Sequence, residues 1–97
     1  MDERFELHKI NFVWDTKKLK INLTKHGISF EQAAEVFFDP FIKIVDASRN
    51  HEERDAIIGM DKQWTLLFVV HIAFEDDQIR IISARKVTRS EKSFYEN

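Results

Sequence analysis

Four cationic side chains occur close together late in the chain: Arg80, Arg85, Lys86 and Arg89. The segment that carries them contains β-branched isoleucines in a short apolar run without helical periodicity, which predicts a β-strand. A strand that only filled a core would not carry so many cations, because an unpaired buried charge is costly. The planar guanidinium group of Arg can bind a phosphate through two parallel hydrogen bonds. The segment therefore predicts a site for a phosphate-bearing ligand, on this strand and at the start of the helix that follows it.

Strand alternation limits which of these cations can act together. Successive side chains point to opposite faces of a sheet, so a regular strand places Arg85 and Ser83 on one face and Arg80 on the other. Arg80 and Arg85 can share a face only if a β-bulge intervenes. The alternative is that one arginine is a structural ion-pair partner, for example of Glu53 or Asp55.

Two other charged pairs could contribute to chemistry. Lys25 and His26 end a predicted helix, where His26 could act as a general acid or base because imidazole titrates near neutral pH. The structural alternative is that a histidine there stabilises the helix dipole. Glu53 and Arg54 precede a predicted strand. Arg54 could add a third guanidinium to the site, whereas Glu53 is either a base or part of a solvated hairpin entrance.

Composition limits the kind of protein this can be. The chain has 97 residues, of which 43% are hydrophobic and 33% are charged, and this balance predicts one soluble globular domain. It contains no cysteine, which excludes a disulfide framework and a thiolate metal site. The four histidines lack the spacing of metal ligands. We therefore expect neither a metal nor another cofactor.

The distribution of charge is more informative than its sum. The net charge of −2 argues against a general nucleic-acid coat, which would carry a basic excess. Cations form local patches instead, on an early segment and at 80–89, and such patches fit a focused polyanion site. The early patch consists of Lys17, Lys18, Lys20 and Lys25. No apolar run reaches membrane-spanning length and the first residues do not resemble a signal peptide, so we expect a cytoplasmic protein without a membrane partner.

Periodicity and capping residues predict the order β-α-α-β-β-β-β-α. The first strand is 12–14, which 5–7 could extend. Asp15 caps a helix over 16–25 that Gly27 ends. Ser29, with Gln32 at capping-box spacing, begins a second helix that ends before Asp39 and Pro40. Four further strands are predicted at 41–46, 54–60, 64–74 and 78–87, with turns at 60–63 and 75–77. Thr88 and Glu91 form another capping box, which begins a last helix that runs to about Tyr95. This order predicts an α+β fold, an antiparallel meander backed by helices.

An ordered set of residues along 12–97 resembles the pattern of the BrnT toxins. The set comprises Trp14, Asp15, Asn22, Lys25, His26, Gly27, Phe30, Ala33, Val36, Phe37, Asp39, Pro40, Glu53, Arg54, Ile58, Gly59, the run from Arg80 to Lys86, Glu91, Tyr95 and Glu96. Val87 departs from it, because the family often has alanine there. The first ten residues lie outside the pattern, so we expect one toxin domain over 1–97 with 1–11 as an N-terminal extension.

The resemblance implies a RelE-like, metal-independent ribonuclease toxin of a type II toxin–antitoxin pair. Such an enzyme would cleave RNA by attack of the 2′-OH on the phosphodiester and so inhibit translation and growth. A BrnA-like antitoxin would neutralise it, and any operator DNA would be bound only through the antitoxin. The expected catalytic residues are Lys25, His26, Glu53, Arg54, Arg80 and Arg85, and the expected phosphate-binding residues are Ser83, Lys86 and Arg89.

A second interpretation of the same residues involves no chemistry. The basic strand of a non-catalytic binding module could dock an acidic segment of a protein partner. A nucleic-acid-binding regulator is disfavoured by the acidic net charge.

Overall fold

A six-stranded sheet is the frame of the protein, with the strands in the spatial order β1-β2-β6-β5-β4-β3. The computed structural model describes residues 1–46, 54–73 and 78–97. The strands are β1 (Asp2–Leu7), β2 (Ile10–Asp15), β3 (Lys43–Asp46), β4 (Asp55–Met60), β5 (Leu66–Ala73) and β6 (Gln78–Lys86). The helices are α1 (Thr16–His26), α2 (Phe30–Glu35), a 3-10 turn (Val36–Phe38) and α3 (Arg89–Glu96). Over these ranges no helix is long and apolar enough to cross a membrane.

The predicted α+β class and the antiparallel meander are confirmed. Strands β3 to β6 pair antiparallel in chain order, and β2 joins the meander by pairing parallel with β6. The N-terminal part contains one more strand than the predicted order, because residues 5–7 belong to a separate strand, β1. His8 and Lys9 reverse the chain with φ angles of 49° and 67°, the left-handed conformation that a two-residue hairpin turn requires. The predicted turn at 75–77 lies outside the described residues.

Local capping signals place the helices as predicted. The Asp15 side chain accepts a hydrogen bond from the backbone of Lys18, and Gly27 ends α1 with a φ of 70°. Ser29 accepts from the backbone of Gln32 at the start of α2. Thr88 and Glu91 form the complete capping box of α3. These contacts are local, so the sequence alone was sufficient to locate them.

The core lies between one face of the sheet and the first two helices. Phe12 and Trp14 of β2 and Phe30 of α2 are fully buried there, and the Trp14 and Phe30 rings meet edge to face with centroids 5.8 Å apart. Strand alternation therefore directs the intervening side chains to the opposite face. We call this opposite face the arginine face. It carries Val13, Phe68, Val70, Arg80, Ser83 and Arg85.

Asn22 joins α1 to the edge of β6 that β2 leaves unpaired. The pairing of β2 with β6 covers only Gln78 to Arg80. Further along β6, the Asn22 amide takes the place of a neighbouring strand: Nδ2 donates to the Ala84 carbonyl at 2.8 Å and Oδ1 accepts from the Ala84 amide at 3.1 Å. Nδ2 also donates to the Ile28 carbonyl at 2.9 Å. One buried side chain thus joins α1, the loop after it and β6 through hydrogen bonds.

Replacing Asn22 with Asp should destabilise the protein by roughly 3 kcal/mol at pH 7, because a carboxylate would face two buried carbonyl oxygens that now accept hydrogen bonds. Urea denaturation at pH 7 and pH 5 provides the measurement. The loss should be smaller at pH 5, because a protonated carboxyl can donate one of the missing hydrogen bonds. Stability equal to that of the parent at pH 7 would show that the Asn22 hydrogen bonds do not hold α1 in place.

Candidate active site on the arginine face

A β-bulge in β6 brings Arg80 and Arg85 onto one face. In the pairing of β5 with β6, Val70 lies opposite Ser83, but His71 lies opposite Ile81. Ile82 is therefore the extra residue, and the alternation of side chains shifts by one position after it. Arg80, Ser83 and Arg85 consequently share the arginine face, which a regular strand would not allow. The structure thus contains the β-bulge that a site shared by Arg80 and Arg85 requires.

Arg85 is held by contacts with three residues. Its Nη1 and Nη2 donate to the two carboxylate oxygens of Glu91 at 2.8 and 2.9 Å, and Nη1 also donates to the Lys86 carbonyl at 3.2 Å. The flat guanidinium lies over the Phe68 ring, with Cζ 4.3 Å from the ring centroid. The hydrogen bond from Arg85 lowers the pKa of Glu91, and the same bond raises the pKa of Arg85. Both groups therefore remain charged near neutral pH.

Arg80 has a carboxylate partner from a different part of the chain. Its Nη1 and Nη2 donate to the two oxygens of Asp2 at 3.0 and 2.6 Å. Asp2 lies in β1, on the far side of β2 from Arg80. The hydrogen bond from Arg80 lowers the pKa of Asp2. This ion pair is more exposed than the pair formed by Arg85, because 47% of the Asp2 side chain is accessible, compared with 20% for Glu91.

Arg54, the residue before β4, lies near the same face. Asp55 lies opposite His71 in the pairing of β4 with β5. Extending this register by one residue places Arg54 beside Ile72, which lies opposite Arg80. Arg54 is partly buried. Arg80 of β6 and Arg54, the residue before β4, therefore bring two guanidinium groups to one end of the arginine face.

The structure does not bring the expected proton carriers into this cluster. Lys25 is exposed and His26 is partly buried at the end of α1. Across the described ranges, neither side chain has a hydrogen bond or ion pair with Arg85. Glu53 lies outside the described residues.

The remaining expected phosphate contacts separate into two groups. Ser83 lies between Arg80 and Arg85 on the arginine face, opposite Val70. Lys86 is exposed and its side chain is directed by alternation to the other face of β6, whereas Arg89 is exposed at the start of α3. Only Ser83 therefore joins the two arginines.

Sequence reasoning missed three residues that contact the cluster: Asp2, Phe68 and Glu91. Glu91 was recognised as a cap and as part of the family pattern, but not as a partner of Arg85, although its carboxylate accepts from both Thr88 and Arg85. Phe68 has no local signal, because its position opposite Arg85 depends on the register of β5 and β6. An acidic residue near a cationic strand is a usable signal for an ion pair, but many carboxylates in this chain satisfy it.

The described residues contain no group of three or more His, Asp or Glu side chains that could hold a metal ion. His71 is buried in the core against the Phe37 ring, with centroids 4.9 Å apart, and burial lowers its pKa. His71 is therefore a core residue.

A family model matches residues 14–91, described as the ribonuclease toxin BrnT of type II toxin–antitoxin systems. The chain belongs to the BrnT toxin family. The match includes all of β6 but only the last two residues of β2, Trp14 and Asp15, and strand β1 with Asp2 lies outside it. Among curated proteins, no sequence match was found.

A solved structure has the same fold. The 1.1 Å crystal structure of the Brucella abortus ribonuclease toxin, BrnT, aligns with a TM-score of 0.62 and 20% sequence identity. The alignment covers 78% of this chain and 94% of that chain. At this level of identity the likeness supports the shared fold and does not transfer individual site residues.

Replacing Asp2 with Asn should strengthen RNA binding by about 2- to 10-fold, because a neutral amide competes less well than a carboxylate for the Arg80 guanidinium. Fluorescence anisotropy with a 2′-O-methylated RNA, which cannot be cleaved, would measure the change. Glu6→Gln on the same strand is the matched control, since it removes the same charge from an exposed position of β1. Weaker binding by the Asp2 variant would mean that Asp2 orients Arg80 for RNA.

Proposed function

We propose that this toxin is a metal-independent endoribonuclease whose arginine face binds the scissile phosphodiester. RNA supplies its own nucleophile, the 2′-OH, so the protein needs only to orient the phosphate, stabilise added negative charge and move protons. Preorganised cationic donors supply the charge stabilisation. The products would be a 2′,3′-cyclic phosphate and a free 5′-OH. Cleavage of cellular RNA would inhibit translation and arrest growth.

The observation that carries the proposal is the bulge at Ile82, which places Arg80, Ser83 and Arg85 on one face. Two guanidinium groups and a hydroxyl on one face of a strand can contact the non-bridging oxygens of an RNA phosphate backbone. Arg54, the residue before β4, adds a third guanidinium group near the Arg80 end of this face. The carboxylates of Asp2 and Glu91 already bind the two arginines, which supports the ability of these side chains to bind oxyanions.

Proton transfer is assigned to residues outside this cluster. His26 or Lys25 would act as proton donor or acceptor, and Glu53 would be the base. Lys86 and Arg89 would contact neighbouring phosphates of the same RNA. The arginine cluster supports the charge-stabilising role more directly than any of these residues supports proton transfer.

The proposal includes partners and location. A BrnA-like antitoxin would silence the toxin in the cytoplasm, and operator DNA would be bound only through that antitoxin. Membership of a type II toxin–antitoxin family supports an antitoxin of some kind. The alternative, a non-catalytic module that docks an acidic protein segment through β6, has the same cationic residues in its favour.

Replacing Arg80 or Arg85 with Ala should lower the cleavage rate by about 10²- to 10³-fold, because each removes a donor to the charge that develops on the phosphate. Growth after induction and RNA cleavage by purified protein would be measured, each beside a thermal melt. Lys62→Ala, at an exposed turn position, controls for loss of a cation elsewhere. Two folded and fully active arginine variants would place the catalytic site elsewhere, whereas a folded parent protein that does not cleave RNA would favour the binding module.

Cleavage should continue in the presence of EDTA, because the proposed chemistry uses only protein groups and the 2′-OH. Purified protein would be incubated with RNA and chelator, and the product ends would be mapped enzymatically for a cyclic phosphate and a 5′-OH. Loss of activity that one divalent ion restores, or products with a 5′-phosphate, would overturn the mechanism.

A further inference from the structure

We propose that Glu91 and Phe68 are positioning residues, which hold Arg85 so that the Nε–Nη2 edge of its guanidinium is presented to an RNA phosphate. The inference rests on the proposed ribonuclease function and assigns a role to α3 within it. Neither residue is placed to touch the reacting atoms. Each acts through the orientation of Arg85.

The donors of Arg85 are divided between two edges of the guanidinium. The group has five N–H donors in a rigid planar arrangement. Nη1 uses both of its hydrogens, one for Glu91 and one for the Lys86 carbonyl, and Nη2 uses one for Glu91. The Nε–H and the second Nη2–H remain, and no hydrogen bond involves them within the described ranges. These two donors are parallel and suit bidentate binding of a phosphate.

Phe68 packs against the same group. The Arg85 Cζ lies over its ring, 4.3 Å from the centroid, and the two residues lie opposite each other on β5 and β6. The ring therefore limits the movement of the guanidinium on that side. Cation–π contact also stabilises the charge without using a hydrogen-bond donor.

Glu91 is itself held in place. Its Oε1 accepts from the Thr88 amide at 2.8 Å as part of the capping box. Further along α3, the Tyr95 hydroxyl donates to Asp39 at 2.6 Å, which ties the helix to the chain segment before β3. Glu91 can therefore orient Arg85 in the absence of RNA, which lowers the cost of forming the productive geometry.

The test compares the kinetics of matched variants on one defined RNA. Glu91→Gln retains the size of the side chain but places an amide donor against a donor of Arg85. We expect kcat to fall by about 10- to 100-fold with KM changed less than about 3-fold. The variant would lose the orientation of Arg85 toward the transition state and would retain its affinity for RNA. Glu96→Gln, the same change at an exposed position of α3, should leave both constants unchanged.

Variants of the other two residues provide independent evidence. Phe68→Leu should lower kcat in the same way, and Phe68→Tyr, which retains the ring, should restore most of it. Arg85→Lys should be about as impaired as Arg85→Ala, because an ammonium group cannot serve Glu91 and present two parallel donors together. If Glu91→Gln proves unfolded in a thermal melt, the Phe68 pair decides the question.

Three results would overturn the inference. An increase in activity or RNA affinity in Glu91→Gln would make Glu91 a competitor of RNA for Arg85. Equal activity of Glu91→Gln and Glu96→Gln would remove any role for the carboxylate, and equal activity of Phe68→Leu and the parent would remove the role of the ring. Each leaves the proposed function intact if Arg85→Ala is inactive. Full activity of folded Arg80→Ala and Arg85→Ala variants would instead reject the proposed site itself.

Discussion

A single extra residue in β6 determines which side chains this toxin can use together. Because Ile82 has no partner in β5, the alternation of side chains between the two faces of the sheet shifts by one residue after it. Arg80 and Arg85 then face the same side, whereas Ile81 and Ala84 both remain in the core on the other side. The strand thus satisfies two requirements at once. It contributes apolar groups to the core, and it contributes cations to the opposite surface.

The cations of that surface are balanced by carboxylates from distant parts of the chain. Asp2 comes from the first strand and Glu91 from the last helix, and each forms two hydrogen bonds with one arginine. The two pairs differ in their surroundings. Glu91 is also bound by a helix cap and its arginine lies on an aromatic ring, whereas half of the Asp2 side chain is exposed. The first arrangement is suited to orientation and the second to exchange with a competing anion.

Local signals in the sequence predicted a large part of this structure. Asp15, Ser29 and Thr88 begin helices because their side chains satisfy nearby amides, and Gly27 ends one because it adopts a positive φ. The family pattern and the cationic strand were also recognisable. The position of the bulge was not, since Ile82 lies in a run of β-branched residues that would fit a regular strand equally well. Strand β1 was missed as a separate element because His8 and Lys9 are not typical residues for a positive-φ turn.

The ion pairs and the register of Phe68 could not be predicted for a different reason. They depend on which distant elements meet, and no local pattern records that. Asp2 reaches Arg80 only because β1 pairs with β2 and β2 pairs with β6. Phe68 reaches Arg85 only because the register of β5 and β6 places the two residues opposite each other. The arginines could be identified from their residue type, but their partners required the complete sheet.

The pairing of β2 with β6 and the Asn22–Ala84 contact have a consequence for folding. They join parts of the chain that are far apart, with a sequence separation of 62 positions from Asn22 to Ala84, and contacts of this kind form slowly because a long loop must close first. The strands made early in synthesis therefore cannot complete the sheet until β6 has been made. The arginines and Glu91 are made later still than most of the core. A chain synthesised only as far as β5 consequently lacks the surface proposed to act on RNA, which forms only after β6 and α3 have been made.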